Sequence, residues 1–272
     1  MTPTCWTTQK ILMTFAPSVI LVKVPLLNIY PLRILAGYLN RMAMPDAIAL
    51  VKDVHKHYQD GQNEIRALNG VSLEISRGEF MAFAGPSGSG KTTALNLLGC
   101  LDVPTSGDIY IEGESTAQKS KAQLSQYRRL RLGFIFQSYN LIPVLSAFEN
   151  VEFPLLLTNQ LSGKERKARV EKYLERVGLK TMMHRRPGEL SGGQQQRVAV
   201  ARALVKEPAL ILADEPTANL DSKTGQEVLE LMKELNRQTG ATFVFSTHDA
   251  LVMKYASRVI KLHDGQIETR RA

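Results

Sequence analysis

The chain has 272 residues, 44% of them apolar, enough to bury the core of one large domain or two small ones. Its formal net charge of +8 suits a nucleotide, a membrane surface, nucleic acid, or simply a well-solvated basic exterior. No stretch supplies the roughly 18 consecutive apolar residues of a bilayer span, and Cys5 and Cys100 have no metal-site spacing; a self-inserting membrane protein and a cysteine metal centre are both unexpected.

The first 44 or so residues read differently from the rest. They are apolar, poor in acidic residues and without clear periodicity, and Pro17, Pro25 and Pro31 interrupt any helix. The longest apolar run, Ile11 to Val22, is broken by Pro17 and closed by Lys23. Three readings stay open. Lys10 before an apolar run fits a secretory signal, a membrane-surface anchor is a second possibility, and an upstream start codon is the third. The third is preferred, with Met42 or Met44 opening the working chain, because no small-residue cleavage site follows closely. Residues 1–47 are therefore set apart as an extension, expected to be disordered or mis-assigned.

From Ile48 the pattern becomes regular. Ile48–Tyr58 and Ile65–Ile75 read as strands, the first with partial alternation, and Glu79–Ala84 as a short apolar strand entering a glycine-rich stretch. Lys91–Leu101 follows as a helix, then Asp108–Glu112 and Leu132–Phe136 as strands. Helices cluster between Gln137 and Leu190. One of them opens with a Ser162-x-x-Glu165 capping box, lines up Val170, Tyr173, Leu174 and Val177, and stops at Gly178. Another helix runs from Gln194 to about Leu204.

Ala209–Ala213 is continuously apolar, as a buried parallel strand should be. Val228, Leu231, Met232 and Leu235 mark one face of a helix from Ser222 to Thr239, with Gly240 after it. Thr242–Phe245 is a strand, and Arg258–Leu262 with Gln266–Thr269 forms a hairpin around Asp264-Gly265. Alternating strands and helices predict an α/β fold over residues 48–272, with an inserted helical subdomain at about 138–190 and no internal repeat.

Three motifs carry chemistry. Gly85-Pro86-Ser87-Gly88-Ser89-Gly90-Lys91-Thr92 matches Gly-x-x-x-x-Gly-Lys-[Ser/Thr], between a strand and a helix. Its glycines let backbone N–H groups converge on phosphate, and the helix adds its positive end. Lys91 then reaches the β- and γ-phosphates and the Thr92 hydroxyl ligates Mg²⁺. Leu210–Glu215 ends a buried strand in two carboxylates: Asp214 completes the metal shell, and Glu215 stands where a general base or water-orienting group is needed. Ser191-Gly192-Gly193, followed by Gln194, opens a second helix suited to an anion. One ATP can use both helix starts if it is shared across a two-fold axis between two copies.

From about Ile48 onward the chain resembles the nucleotide-binding subunit of ATP-binding-cassette (ABC) transporters. Leu190-Ser191-Gly192-Gly193-Gln194, continued by Gln195-Gln196-Arg197 and Ala201-Arg202-Ala203-Leu204, is the most specific match. The resemblance implies a P-loop NTPase (RecA-like) core with an antiparallel β subdomain and an inserted α-helical subdomain. It assigns Tyr58 to adenine stacking, Thr93 to phosphate, His248 to the γ-phosphate, and Gln137 to the metal and to the link with the transporter. Asp221 either bridges two sites or caps the following helix. The other histidines, His55, His57, His184 and His263, have no such match and are expected at the surface. The implied ligands are ATP and Mg²⁺. The implied partners are a second copy in a head-to-tail dimer and an integral membrane permease subunit, with no nucleic acid, at the cytoplasmic face of the inner membrane.

A finer resemblance, in Leu97–Gly107, Ser138–Pro143 and Glu149–Leu157, points to the lipoprotein-releasing and macrolide-export ATPases, with cell-division ATPases close by. It implies export or lipoprotein release, with Gln137–Leu157 facing the membrane subunit. The main alternatives are a cell-division-type ATPase or a soluble ABC ATPase outside transport. The interval from Lys91 to Ser191 is too short for the long coiled coil of the DNA-repair type, and the chain has one cassette where ribosome-acting relatives have two. Glu215 and His248 argue against a non-catalytic cassette.

Overall fold

The computed structural model describes residues 14–15, 18–19, 46–61 and 63–268. The chain divides into two units, Met1–Ala43 and Met44–Ala272. In the first, β1 (Thr14–Phe15) and β2 (Ser18–Val19) pair antiparallel. Of the expected extension 1–47, Asp46 and Ala47 belong to the second unit, where Ala47 opens a strand; apart from β1 and β2, its other residues, Cys5 included, lie outside the described residues.

The second unit is built on two sheets. The antiparallel sheet has the order β4-β3-β6-β7, with β3 Ala47–Asp60, β4 Asn63–Ser76, β6 Ser106–Ile111 and β7 Glu114–Ser115. The other has the order β12-β11-β5-β10-β9-β8, with β5 Phe80–Ala84, β8 Leu132–Ile135, β9 Leu210–Asp214, β10 Thr242–Thr247, β11 Arg258–His263 and β12 Gln266–Ile267. All its neighbours run parallel except β12, which closes the hairpin against β11.

The helices are α1 Lys91–Leu98, α2 Lys121–Arg131, α3 Ala147–Thr158, α4 Gly163–Arg176, α5 Gly192–Leu204, α6 Ser222–Thr239 and α7 Ala250–Tyr255. Four of them open the same way. Ser120/Gln123, Ser146/Glu149, Ser162/Glu165 and Ser191/Gln194 each form a capping box that satisfies two backbone donors reciprocally.

The parallel sheet is buried on both faces, which is why its strands read as continuous apolar runs. Along β5, Phe80 and Ala82 enter one core and Met81 and Phe83 the other. Likewise Ile211 and Ala213 of β9 face the first core, while Leu210 and Leu212 face the second. The first core joins α3, α4, α5 and α6 through Val151, Tyr173, Val198 and Val228; the second joins α1 and the antiparallel sheet through Leu95, Leu98, Val54 and Ile109.

Several boundaries differ from the sequence reading. α1 stops at Leu98 instead of Leu101, because Gly99 caps it and Cys100 turns to φ 53, leaving Leu101 exposed. The partial alternation of β3 has a physical cause: its register shifts around Val54, next to Asp53 at φ 46. Helices α2 and α7 had no assignment in the sequence; α3 falls within the expected helical cluster but without bounds of its own, and it continues through Pro154. His55 and His57 are not free surface residues, correcting the expectation. Both are only 27% exposed, His55 beside Asp53 and His57 Nδ1 at 2.5 Å from Glu64. His184 and His263 are exposed.

Candidate active site

β5 ends in the glycine loop because the backbone there must pass where side chains cannot. A Cβ on Gly85 (φ 155) would lie 2.2 Å from the Leu262 carbonyl oxygen, and one on Gly90 (φ 100) 2.4 Å from that of Ala67. The loop therefore tucks between β4 and β11, and Gly90 starts α1 in a left-handed conformation. Lys91 is buried, and its Nζ donates to the Gly85 and Pro86 carbonyls at 2.8 Å each. The ammonium thus folds back on the first two carbonyls of its own loop. The Ser89 hydroxyl is buried without a partner among the described residues. Thr92 is exposed and Thr93 half-buried on the first turn of α1.

Two strands away, β9 delivers the carboxylates. Asp214 pairs in register with Ser246 of β10, and Thr247 of β10 pairs with Ala84 at the end of β5. The carboxyl ends of β5, β10 and β9 therefore lie side by side. Burial raises the Asp214 carboxyl above its ordinary pKa; the Glu215 charge adds to this, while Ser246 and Lys91 oppose it. The Ser246 hydroxyl lies close enough to the carboxylate to oppose the shift but outside hydrogen-bonding geometry, so it and Asp214 Oδ1 are both buried with no hydrogen-bond partner among the described residues. The neighbouring Glu215 has left-handed backbone, φ 43, and its N–H donates to the Ser246 carbonyl at 2.9 Å. That turn aims its carboxylate at β10: Oε2 accepts from the Thr247 hydroxyl at 3.1 Å, and Oε1 lies 2.7 Å from His248 Nδ1.

The other candidates stand on separate elements. Gln137 is exposed after β8; its Nε2 donates to Asn219 Oδ1 at 3.5 Å, while Asn219 Nδ2 donates to the Gln137 carbonyl at 3.0 Å. Tyr58 is 38% exposed on β3, and its hydroxyl donates to Asp102 at 2.8 Å. Asp102 also accepts from Lys56 Nζ at 2.8 Å, and that ammonium stands 4.8 Å from the Tyr58 ring centre. Burial acts against ionisation of Asp102, but bonds from Lys56 and Tyr58 outweigh it and hold its pKa below the ordinary value.

Ser191 caps α5, its Oγ accepting from Gln194 N at 3.3 Å while its own N–H donates to Gln194 Oε1 at 3.0 Å. Gly192 lies against Tyr139 and Leu220, and Gly193 against Thr224. Asp221 caps α6, accepting from the N–H groups of Lys223 at 3.1 Å and Thr224 at 3.0 Å.

Glu215, Thr247, His248, Asp214 and the Lys91 loop are thus gathered at three adjacent strand ends, with Gln137 and Asn219 paired nearby. Sequence reading missed Asp102, Lys56, Thr247 and Asn219. No local signal marks them, because each acts through a partner distant in the chain.

Among known families, ABC transporter matches residues 68–218. An uncharacterised ABC transporter ATP-binding protein of Thermotoga maritima is 50% identical over 216 residues, 79% of this chain and 92% of that protein. The macrolide export ATP-binding/permease protein MacB of Escherichia coli is 49% identical over 217 residues, 80% of this chain but 33% of that protein. Of the solved structures, a dimeric post-hydrolysis state of the cassette MJ0796 of Methanocaldococcus jannaschii, bound to ADP and Pi, has a TM-score of 0.74 at 47% identity. The match covers 81% of this chain and 97% of that one. Sequence likeness along most of the chain thus agrees with a phosphate loop and a carboxylate pair meeting at adjacent strand ends, and the chain belongs to the ABC transporter family as its ATP-binding, ATP-hydrolysing component.

Proposed function

We propose that two copies of the chain assemble head to tail around two ATP molecules and transmit their closure to a separate integral membrane subunit. The working domain is residues 48–272, with the helical arm at about 138–190. The observation that carries this reading is the Glu215–Thr247–His248 cluster beside a buried Asp214 oxygen that has no partner among the described residues.

In this reading Gly85, Pro86, Ser87, Gly88, Ser89 and Gly90 turn their backbone towards the phosphates, and Lys91 moves from its own loop's carbonyls to the β- and γ-oxygens. Thr93 supports the phosphates from α1, and Tyr58 stacks on adenine. Ser191, Gly192, Gly193 and Gln194 of the opposite copy close on the γ-phosphate, with Asp221 fixing the adjoining helix start. The donors at Thr92, Asp214 and Gln137 are hard oxygens, and the orphaned Asp214 oxygen fits a cation; when bound, Mg²⁺ would neutralise charge on the β- and γ-phosphates. Glu215 orients the attacking water and accepts its proton, while His248, beside it, faces the γ-phosphate. Phosphoryl transfer needs little covalent help, so assembling these groups by closure is enough to gate it.

The membrane subunit would dock on the 137–157 segment, whose Val144, Phe153, Leu156 and Leu157 are exposed apolar residues. The proposed seat, from the likeness to ABC transporter ATP-binding proteins, is peripheral, on the cytoplasmic face; no helix among the described residues is long and apolar enough to cross a membrane. Likeness to the macrolide export protein MacB supports export as the class of work; lipoprotein release rests on the sequence resemblance in Leu97–Gly107, Ser138–Pro143 and Glu149–Leu157.

The test is Glu215→Gln. The variant should bind ATP, form an ATP-dependent dimer on size exclusion, and release phosphate about 10²–10⁴ times more slowly, the usual range for a lost general base. Hydrolysis at the parent rate, or a protein that stays monomeric with ATP, would sink this reading.

A further inference from the structure

The strap between β8 and α3 touches three loops at once. Arg202, on α5, reaches under it: its guanidinium donates to the carbonyls of Tyr139 at 2.7 Å and of Asn140 at 2.5 Å. Tyr139 and Asn140 are both left-handed, at φ 60 and φ 49, a conformation that non-glycine residues seldom keep without support. Burial pulls the guanidinium down to about 10, so it stays charged at neutral pH, and its rigid fork fits two successive carbonyls.

Held this way, the Tyr139 hydroxyl donates to the Asn219 carbonyl at 3.3 Å, next to the Gln137–Asn219 pair. On its other side it lies against the Leu190–Gln194 segment. A Cβ placed on Gly192 would meet the Tyr139 hydroxyl at 2.9 Å, with Leu220 Cδ2 next at 3.4 Å and the Tyr139 ring carbon at 3.9 Å. One side chain thus joins the strap that carries Gln137, the Asn219 turn after the carboxylates, and the first glycine of α5.

We propose that Tyr139, clamped by Arg202, is a positioning residue that carries displacement of the 137–140 strap to Gly192, and so to the nucleotide bound by the opposite subunit. The inference rests on the dimer reading above. It gives Gly192 a second reason to be glycine: its missing side chain is the seat of the Tyr139 hydroxyl. It also assigns Arg202 to holding backbone, with no anion to bind.

Rescue is the sharpest test, because Phe removes only the atom that clashes. Gly192→Ala should lose at least about tenfold in kcat (about 1.4 kcal/mol). Tyr139→Phe should lose several-fold in kcat/KM, with the ATP needed for half-maximal rate rising in step with dimerisation, while ATP binding to the isolated subunit is unchanged, since the Lys91 loop is untouched. Gly192→Ala/Tyr139→Phe should regain at least fivefold over Gly192→Ala. An unaffected Gly192→Ala, or a double variant no faster than it, would overturn the proposal. Should Gly192→Ala fail to fold, Tyr139→Phe and Arg202→Gln in the Glu215→Gln background decide: each should raise the ATP concentration for half-dimerisation, and an unchanged midpoint overturns the proposal. If Glu215→Gln alone forms no dimer with ATP, the dimer reading has failed instead, and the hydrolysis rescue still reports on Tyr139 and Gly192.

Discussion

Replacing Asp214 with asparagine should stabilise the nucleotide-free protein. Its Oδ1 is buried without a partner among the described residues, and burial followed by the Glu215 charge outweighs Ser246 and Lys91, raising its pKa. An unsatisfied buried acceptor costs about 1–3 kcal/mol, more when charged. A neutral side chain of the same shape should therefore return about 1–2 kcal/mol at neutral pH. In a domain this size each kcal/mol moves Tm by roughly 2–4 °C, so the gain should be about 2–8 °C. The sign depends on pH. A carboxyl whose folded pKa exceeds its unfolded value stabilises the fold below the unfolded pKa, and that contribution is lost as pH rises through the folded one. Asparagine does not titrate. Its advantage should vanish near pH ~4, the ordinary aspartate range, and grow above it. Thermal melts across this range without nucleotide measure the effect, and repeats with Mg-ATP add the functional arm. Ligand at 100 times Kd should stabilise the parent by about 2.7 kcal/mol, most of which the variant should lose. A variant that melts below the parent at every pH, or gains equally at all pH values, would refute the reasoning.

Tyr58→Leu should raise KM for ATP by about 5–100-fold, the worth of one base–aromatic stack, with kcat near the parent's; a KM within twofold would remove Tyr58 from the site. Gly85→Ala places a methyl group 2.2 Å from the Leu262 carbonyl at a backbone angle that disfavours alanine. It should lower Tm and abolish binding of a fluorescent ATP analogue, and normal binding would show that the loop does not need this close approach.

Much of the fold was legible because its signals are local. The run Ala209–Ala213 reads as a buried strand since both faces of β9 are covered, and the stripe on α6 reads as a helix since only one face is. The box at Ser162 was readable, yet the same grammar at Ser120 and Ser146 went unread. α2 has mostly polar residues around its box, and α3 holds Pro154, which normally argues against a helix interior. The motif residues of the candidate site were equally visible, because phosphate loops and strand-end carboxylates are contiguous in sequence. Their companions were not. Asp102 meets Tyr58, Asn219 meets Gln137, and Thr247 meets Glu215 only through the tertiary fold. His57 shows the converse error: a lone histidine on a strand gave no hint of the glutamate on the neighbouring strand that covers it.

Sheet order explains why those distant residues meet. β5 and β9 are not neighbours; β10 lies between them. Strands stand about 4.8 Å apart, so the phosphate loop and the carboxylate pair are separated by roughly 10 Å at the sheet edge. The floor of that gap is Ser246 and Thr247, both buried, and its far wall is Glu215 turned back by its left-handed backbone. A parallel sheet opens such crevices outside the carboxyl ends of its strands. Had β9 paired directly with β5, Lys91 and Asp214 would have closed on each other as an ion pair, with no room for phosphate between them. With one strand inserted, Lys91 falls back on its own loop and Asp214 keeps an oxygen without a partner among the described residues. The unmet electrostatic demand of both groups is what a nucleotide and its cation would satisfy, and it makes the stability gain of Asp214→Asn and its loss of ligand response two sides of one physical cause.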